Sequence, residues 1–324
     1  MEFVVQDVNE ALAKVLPWML EHGVREPSRN GSVLAAPEPV MTTYLHPTRR
    51  VVLSATRNAN PFFHFMEALW MLAGRNDVAF VAQFVKRMKE FSDDGVVFNG
   101  AYGYRWRRMF GVDQLAHIVL RLRENPADRR IVLSMWDGHH DFDVAPFSKD
   151  VPCNTHAYFD VRGGKLNMTV CNRSNDIIWG AYGANVVHFS ILQEYLAAAI
   201  GVPVGVYRQF SNNFHIYTGT FSEEHLRTVA AESAIHTGWV EELGGPEPLF
   251  TVPENVTAEV GLFVAGGYTA DYENNALRMA VQMYRAWGLY KEGHMDLAQA
   301  AAGEIEAVEW MVACQEWLQR RAKQ

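Results

Sequence analysis

Pro152-Cys153-Asn154 sets a single cysteine between a loop and a strand-like stretch, where it is a candidate nucleophile. An isolated cysteine is more often a small buried hydrophobe. Here Arg129-Arg130 lies upstream and Arg173 follows on the far arm of a hairpin, and a nearby guanidinium lowers a thiol's pKa towards thiolate. Cys171 and Cys314 have no such setting and read as core. Arg173-Ser174 also offers a planar fork and a hydroxyl that match phosphate oxygens, as Arg29 does within Ser28-Arg-Asn-Gly-Ser32. An arginine pair alone is more often a solvated face. No Walker lysine accompanies the loop, so a P-loop is excluded. Glu67 sits in Phe62-Phe-His-Phe-Met-Glu-Ala-Leu-Trp70, a helix apolar nearly all round. A carboxylate there is costly without a task or a partner, and a burial-raised pKa would suit proton transfer. A place on a narrow polar stripe is the alternative. Asn185 carries a donor and an acceptor side by side, which can read a pyrimidine edge or cap the helix it opens. His215 and Tyr217 alternate on a short segment and could hold a sugar hydroxyl.

These residues belong to a chain of 324 residues with a formal net charge of −8, 49% hydrophobic and 20% charged. Disorder, collagen and coiled coil are excluded, and the acidic balance argues against a dedicated nucleic-acid binder. Three cysteines without a CxxC spacing build no disulfide framework, and the histidines show no HExxH or zinc-ligand spacing, so no metal is expected. The acidic start lacks a signal peptide's basic region, and no apolar run is long enough for a membrane span. A reduced cytoplasm is the expected setting.

The elements that must position these side chains follow from periodicity. Helices are expected over 6–22, 61–74, 77–91, 113–123 and 185–200, with helix again from 276 to 321. Strands are expected over 49–56, 131–136 and 204–210. Thr155–Val161 and Lys165–Cys171 flank Gly163-Gly164 as a hairpin. There is no repeat, no linker and no regular βαβ rhythm, so a single α+β domain fits best.

The order of motifs is more specific than any one of them. Glu67-Ala-Leu-Trp-Met-Leu-Ala-Gly74, Gly100-Ala-Tyr-Gly-Tyr-Arg-Trp-Arg107, Asp113-Gln114, Asn125-Pro-Ala-Asp-Arg-Arg-Ile131, Pro152-Cys153, Arg173-Ser-Asn-Asp176, Gly180, Asn185 and His215-Ile-Tyr217 together resemble the thymidylate synthase family. The resemblance covers about residues 20–220 and leaves 221–324 as a mainly helical part. It implies one α+β domain with a mixed sheet packed by helices, and a homodimer formed through back-to-back sheets. It also implies a pyrimidine nucleoside monophosphate as substrate and 5,10-methylenetetrahydrofolate as one-carbon donor. Cys153 would add to C6. Arg29, Arg173 and Ser174 would hold the phosphate, with Arg129 and Arg130 reaching in from the other subunit. Glu67 would manage protons, Tyr102 would lie beside the nucleophile, Asn154 and Asn185 would meet the base, and His215 and Tyr217 the ribose. Asp176, Trp70 and Gly180 would face the folate.

The departures are as informative. Asn154 stands where the family's synthases have histidine, and Met88 and Phe91 stand where they have a Trp-x-x-Trp helix. Gly180-Ala-Tyr-Gly-Ala-Asn185 is one residue longer than Gly-x-Pro-Phe-Asn, and Glu316 to Gln324 lacks the short apolar tail. A looser site admits water to the exocyclic methylene of the nucleotide, giving hydroxymethyl in place of methyl. The stretch resembles the family's nucleotide hydroxymethylases, known from bacteriophages, where they serve DNA modification, and from antibiotic pathways. Asn185 favours a uridylate, since the deoxycytidylate enzymes carry aspartate there. Thymidylate synthesis and cytidylate hydroxymethylation are the alternatives.

Overall fold

Gly163 and Gly164 both take positive φ, 58° and 73°, the combination that a two-residue type I′ turn needs. In the computed structural model, which describes residues 1–239 and 245–323, this turn joins β6 (Asn154–Arg162) to β7 (Lys165–Asn172). The hairpin is part of a six-stranded mixed sheet in the order β1-β4-β9-β7-β6-β5. Its other strands are β1 (Glu2–Val5), β4 (Val40–Tyr44), β5 (Val132–Ser134) and β9 (Val204–Ser211). A smaller sheet, β2-β3-β10-β8, holds β2 (Val24–Ser28), β3 (Gly31–Ala35), β8 (Asn175–Asp176) and β10 (Phe214–Tyr217).

One face of the large sheet is core. Leu166, Met168 and Val170 of β7 are fully buried, and α7 (Asn185–Ile200) packs on β7 and β9. That helix stops at Gly201, whose φ of 88° only glycine adopts cheaply. The opposite face has no cover among the described residues. His156, Thr169, Cys171, Arg208 and Phe210 are half-buried there, and Tyr158 and Val132 are 48% and 45% exposed. Cys171 is therefore not a core residue. Cys314 is, at zero exposure.

α1 (Val8–His22) begins at Asp7, which accepts from the Asn9 and Glu10 amides. α2 (Pro61–Leu72) begins at Asn60 with proline in its first turn. Residues 49–56 form no strand, contrary to expectation. Side chains take up the backbone groups a ladder would use: Asn9 donates to Val51 O and accepts from Leu53 N, and Glu232 accepts from Thr56 N. Residues 77–91 are not one helix. α3 (Val78–Val81) is a single turn, Val85 is extended, and Lys86–Phe91 is a 3-10 turn. The remaining α-helices among the described residues are α4 (Tyr102–Tyr104), α5 (Gln114–Glu124), α6 (His140–Val144), α8 (Glu223–Ile235), α9 (Val256–Val264), α10 (Asn275–Lys291), α11 (Met295–Ala302) and α12 (Val308–Ala322), and Arg105–Met109 and Ile177–Ala184 are π-helical. α8 packs on α1, while α9, α10 and α12 pack on α2, where Trp287 and Trp317 enclose Phe62. The chain's C-terminal residues are thus the end of a docked helix, with Gln324 outside the described residues. No helix among the described residues is long and apolar enough to cross a membrane, and none of their His, Cys, Asp and Glu side chains cluster as a metal site.

Candidate active site

Tyr102 reaches the cysteine because Gly103 lies against α2. A Cβ at Gly103 would sit 2.0 Å from Met71 O, so only glycine lets this turn approach. The Tyr102 hydroxyl accepts the backbone N–H of Cys153 (3.1 Å) and of Asn154 (3.2 Å), and burial pushes its own proton loss well up. Arg173 wraps the same loop. Its backbone N–H donates to Cys153 O (2.9 Å), its Nε to Pro152 O (2.9 Å) and its Nη2 to Val151 O (3.0 Å), leaving Nη2 3.7 Å from Sγ. Burial raises the thiol's pKa more than Arg173 and Arg29 lower it, and Asp150 adds to the rise. The expectation of a resting thiolate is thus corrected: desolvation outweighs the guanidinium field. Asn154 is fully buried, and neither its Oδ1 nor its Nδ2 has a partner of hydrogen-bonding geometry, although the Tyr102 hydroxyl lies against it. Buried amide atoms left open beside the candidate nucleophile fit a ligand or water.

Glu67 is partly buried, and its Oε2 lies 3.0 Å from Nε2 of the buried His188, off the line that a hydrogen bond requires. His188 is one turn beyond Asn185 on α7, so one helix face carries both. His64, on α2, is held neutral: burial, Arg57 and His188 all push its pKa well below the usual value. Arg57 is buried with Nη2 on Ile178 O (2.6 Å), its guanidinium 5.3 Å from the Trp179 ring centroid, and its pKa pulled down to about 10 by burial. Beside it, Asp176 accepts from the Trp179 amide, yet its Oδ2 is buried without a partner. Burial raises the Asp176 pKa to about 6.

Asn185 does not cap α7. Its Nδ2 donates to Asn175 Oδ1 (3.1 Å), and Gly180 leaves room for that contact. His215 is buried with Nδ1 2.7 Å from Asn213 Oδ1, and its ring meets Tyr217 edge-on. Ser174 is half-buried beside Arg173, and Arg29 stands at the exposed tip of the β2–β3 hairpin. Arg129 and Arg130 are elsewhere in this chain. Both are exposed, and Arg130 pairs with Asp128 (2.9 Å), whose carboxyl the two arginines Arg130 and Arg121 hold far below its usual range. Trp70 is 3% exposed, with its N–H on Asp77 and its ring on Phe98. Met88 packs on the core, while Phe91 is 49% exposed.

His188, Arg57, Asn175 and Gln209 were not singled out from sequence. The spacing of His188 from Asn185, one helical turn, was the available signal.

The thymidylate synthase family model matches residues 11–236, a span that holds every candidate from Arg29 to Tyr217. The chain belongs to the thymidylate synthase family. Within that family it is 45% identical to deoxyuridylate hydroxymethyltransferase of Pseudomonas phage M6, over 98% of this chain and 93% of the relative. It is 41% identical to deoxyuridylate hydroxymethyltransferase of Bacillus phage SP01, over 55% of this chain and 49% of that protein. A thymidylate synthase of Symbiobacterium thermophilum is 30% identical over 51% of this chain and 63% of its own. The family's α+β fold is the one described above.

Proposed function

We propose that this protein is a deoxyuridylate hydroxymethyltransferase, placing a one-carbon unit on C5 of deoxyuridylate and letting water complete it. The observation that carries the reading is the similarity to the phage M6 enzyme along nearly the whole of both chains. Arg29, Arg173 and Ser174 bind the phosphate, Asn154 and Asn185 the base, His215 and Tyr217 the ribose. The buried, unpartnered Oδ2 of Asp176 beside Arg57 and Trp179 suits a folate ring, with Gly180 contributing from the turn before Asn185 and Trp70 acting only as buried support, since its N–H is held by Asp77 and its ring by Phe98. 5,10-Methylenetetrahydrofolate, as cosubstrate, supplies the carbon at formaldehyde oxidation level.

Sγ of Cys153 adds to C6, and the electron pair of the C5–C6 double bond makes C5 nucleophilic. The buried thiol must first give up its proton to solvent, before the bound nucleotide closes over Sγ. Once C5 has gained its carbon, loss of the C5 proton pushes out the folate nitrogen bonded to that carbon, and the nucleotide is left with an exocyclic methylene conjugated to C4=O. Water adds to that carbon, its proton passing towards Glu67, and density moves to O4. The density returns to form C5=C6 as Sγ leaves as thiolate. No electrons are gained or lost, so tetrahydrofolate is released unoxidised.

The bare sheet face serves a homodimer in this reading, through which Arg129 and Arg130 reach the partner's phosphate site. Free nucleotides and folates place the reaction in the cytoplasm. The test is an incubation with deoxyuridylate and 5,10-methylenetetrahydrofolate, with mass spectrometry on the nucleotide and absorbance on the folate. 5-Hydroxymethyldeoxyuridylate without dihydrofolate is expected. Thymidylate with stoichiometric dihydrofolate would overturn the reading in favour of synthase activity.

A further inference from the structure

Asn185 ends a chain of buried side chains. Its Nδ2 donates to Asn175 Oδ1 (3.1 Å). Asn175 Nδ2 donates to Gln209 Oε1 (3.1 Å) and Ser211 Oγ (3.0 Å), and Gln209 Nε2 donates to the Tyr207 hydroxyl (2.8 Å). Asn175, Gln209, Ser211 and Tyr207 are each at most 3% exposed, and Asn185 is 9% exposed. A side-chain amide can exchange its oxygen and nitrogen by half a turn, and only its partners decide which way it faces. Here each amide nitrogen donates to the oxygen of the next side chain, so the amides face as a unit. Gly180 closes the arrangement: a Cβ there would lie 2.6 Å from Asn175 Oδ1 and 3.3 Å from Asn185 Nδ2.

We propose that this buried amide relay fixes the direction of Asn185 and thereby sets the preference for uracil over cytosine. The inference rests on the nucleotide reading above and names what enforces its base. With Nδ2 turned inward, Asn185 presents Oδ1 and one remaining N–H to the base. Uracil N3–H donates to that oxygen, and O4 accepts from that N–H. Cytosine offers an acceptor at N3 and an amino donor, so Asn185 must turn over to serve it. Its Oδ1 would then face Asn175 Oδ1, two acceptors in contact inside a buried site. Relief requires Asn175 and Gln209 to turn with it. Asn175 and Gln209 are positioning residues here, acting only through Asn185.

The test compares dissociation constants for deoxyuridylate and deoxycytidylate on the full-length wild type, Asn175→Leu and Asn175→Asp, with melting curves to establish folding. Wild type is expected to bind deoxyuridylate more tightly. Asn175→Leu frees the Asn185 amide and should shrink the preference roughly 10- to 100-fold. Asn175→Asp can still accept from Asn185 Nδ2, while Ser211 and a turned Gln209 donate to it, and should keep the preference within about threefold. If Asn175→Leu does not fold, Gln209→Leu, one step further from the base, should shrink the preference in the same direction. A residue that only supports the fold would weaken both nucleotides together and leave the ratio alone. That result, a wild type without preference, or a preference lost in Asn175→Asp, overturns the relay. The mass of the turnover product tests hydroxymethylation separately: a methylating wild type that still prefers deoxyuridylate overturns that reading and leaves the relay standing.

Discussion

Cys153 sits among opposing influences, with burial and Asp150 keeping its proton on and Arg173 and Arg29 drawing it off. In the proposed reaction the nucleophile is made on demand, so Cys153→Ser, with a far less acidic hydroxyl, should lower turnover by at least ~10³-fold while deoxyuridylate still binds. Product formation and nucleotide titration check the two halves of that statement. Asp176 is shifted in the same sense, a carboxyl that the fold favours protonated. Its pKa is 3.8 ordinarily and about 6 here. The stability it contributes is therefore full below about pH 4 and is lost as pH rises through 6, a difference of up to ~3 kcal/mol. Asp176→Asn has no such loss. Its melting temperature relative to wild type should climb between pH 4 and pH 7, and a flat difference would contradict a buried neutral carboxyl. His188 brings Nε2 to 3.0 Å from the Glu67 carboxylate. His188→Phe is expected to lower kcat roughly 10- to 100-fold with KM changed by less than about threefold, read by steady-state kinetics.

At the scale of elements, the site depends on close approaches and staples. Gly103→Ala puts a methyl into the Met71 carbonyl. It should cost about 1–3 kcal/mol in urea unfolding and carry Tyr102 away from the Cys153 loop. The segment before α2 is stapled at one end by Glu232, which accepts from Ser54 Oγ (2.7 Å), Thr56 N (2.9 Å) and Thr56 Oγ1 (2.6 Å). At the other end Asn58, at φ 53°, accepts from Arg320 and Arg321. Arg57 lies between. Helices α1, α2 and α7 and the β6–β7 hairpin are legible in the sequence because each carries its own start and stop: Asp7, Asn60-Pro61, Gly201 and Gly163-Gly164. Residues 49–56 are not, because the groups that replace a ladder, Asn9 and Glu232, lie far away in sequence. The same limit explains the thiol. Arg173 is visible beside Cys153 in the string of residues, but the burial that outweighs it belongs to the packed molecule. Asn175 passes unnoticed inside Arg-Ser-Asn-Asp because its partners, Gln209 and Ser211, arrive from β9.

At the scale of the whole molecule, the large sheet has one face packed by α7 and one open. Tyr158 and Val132 stand out from the open face, with the exposed Phe142 ring edge-on to Trp136 at its margin. Patches of this kind mark association surfaces, and a second copy related by two-fold symmetry would cover it. On the proposed homodimer, Tyr158→Asp should shift sedimentation towards the single chain and lower activity at least ~10-fold, because Arg129 and Arg130 would no longer reach a partner's phosphate. A dissociated chain of full activity would contradict the shared arginines. The bare face also bears on dose. If a lone chain holds an incomplete phosphate cradle, output at scarce copy number should climb with the square of the chain count, and become linear only once copies are plentiful enough to stay paired. Diluted enzyme would then look inactive out of proportion to its dilution, and a cell early in synthesis would accumulate protein before it accumulated product.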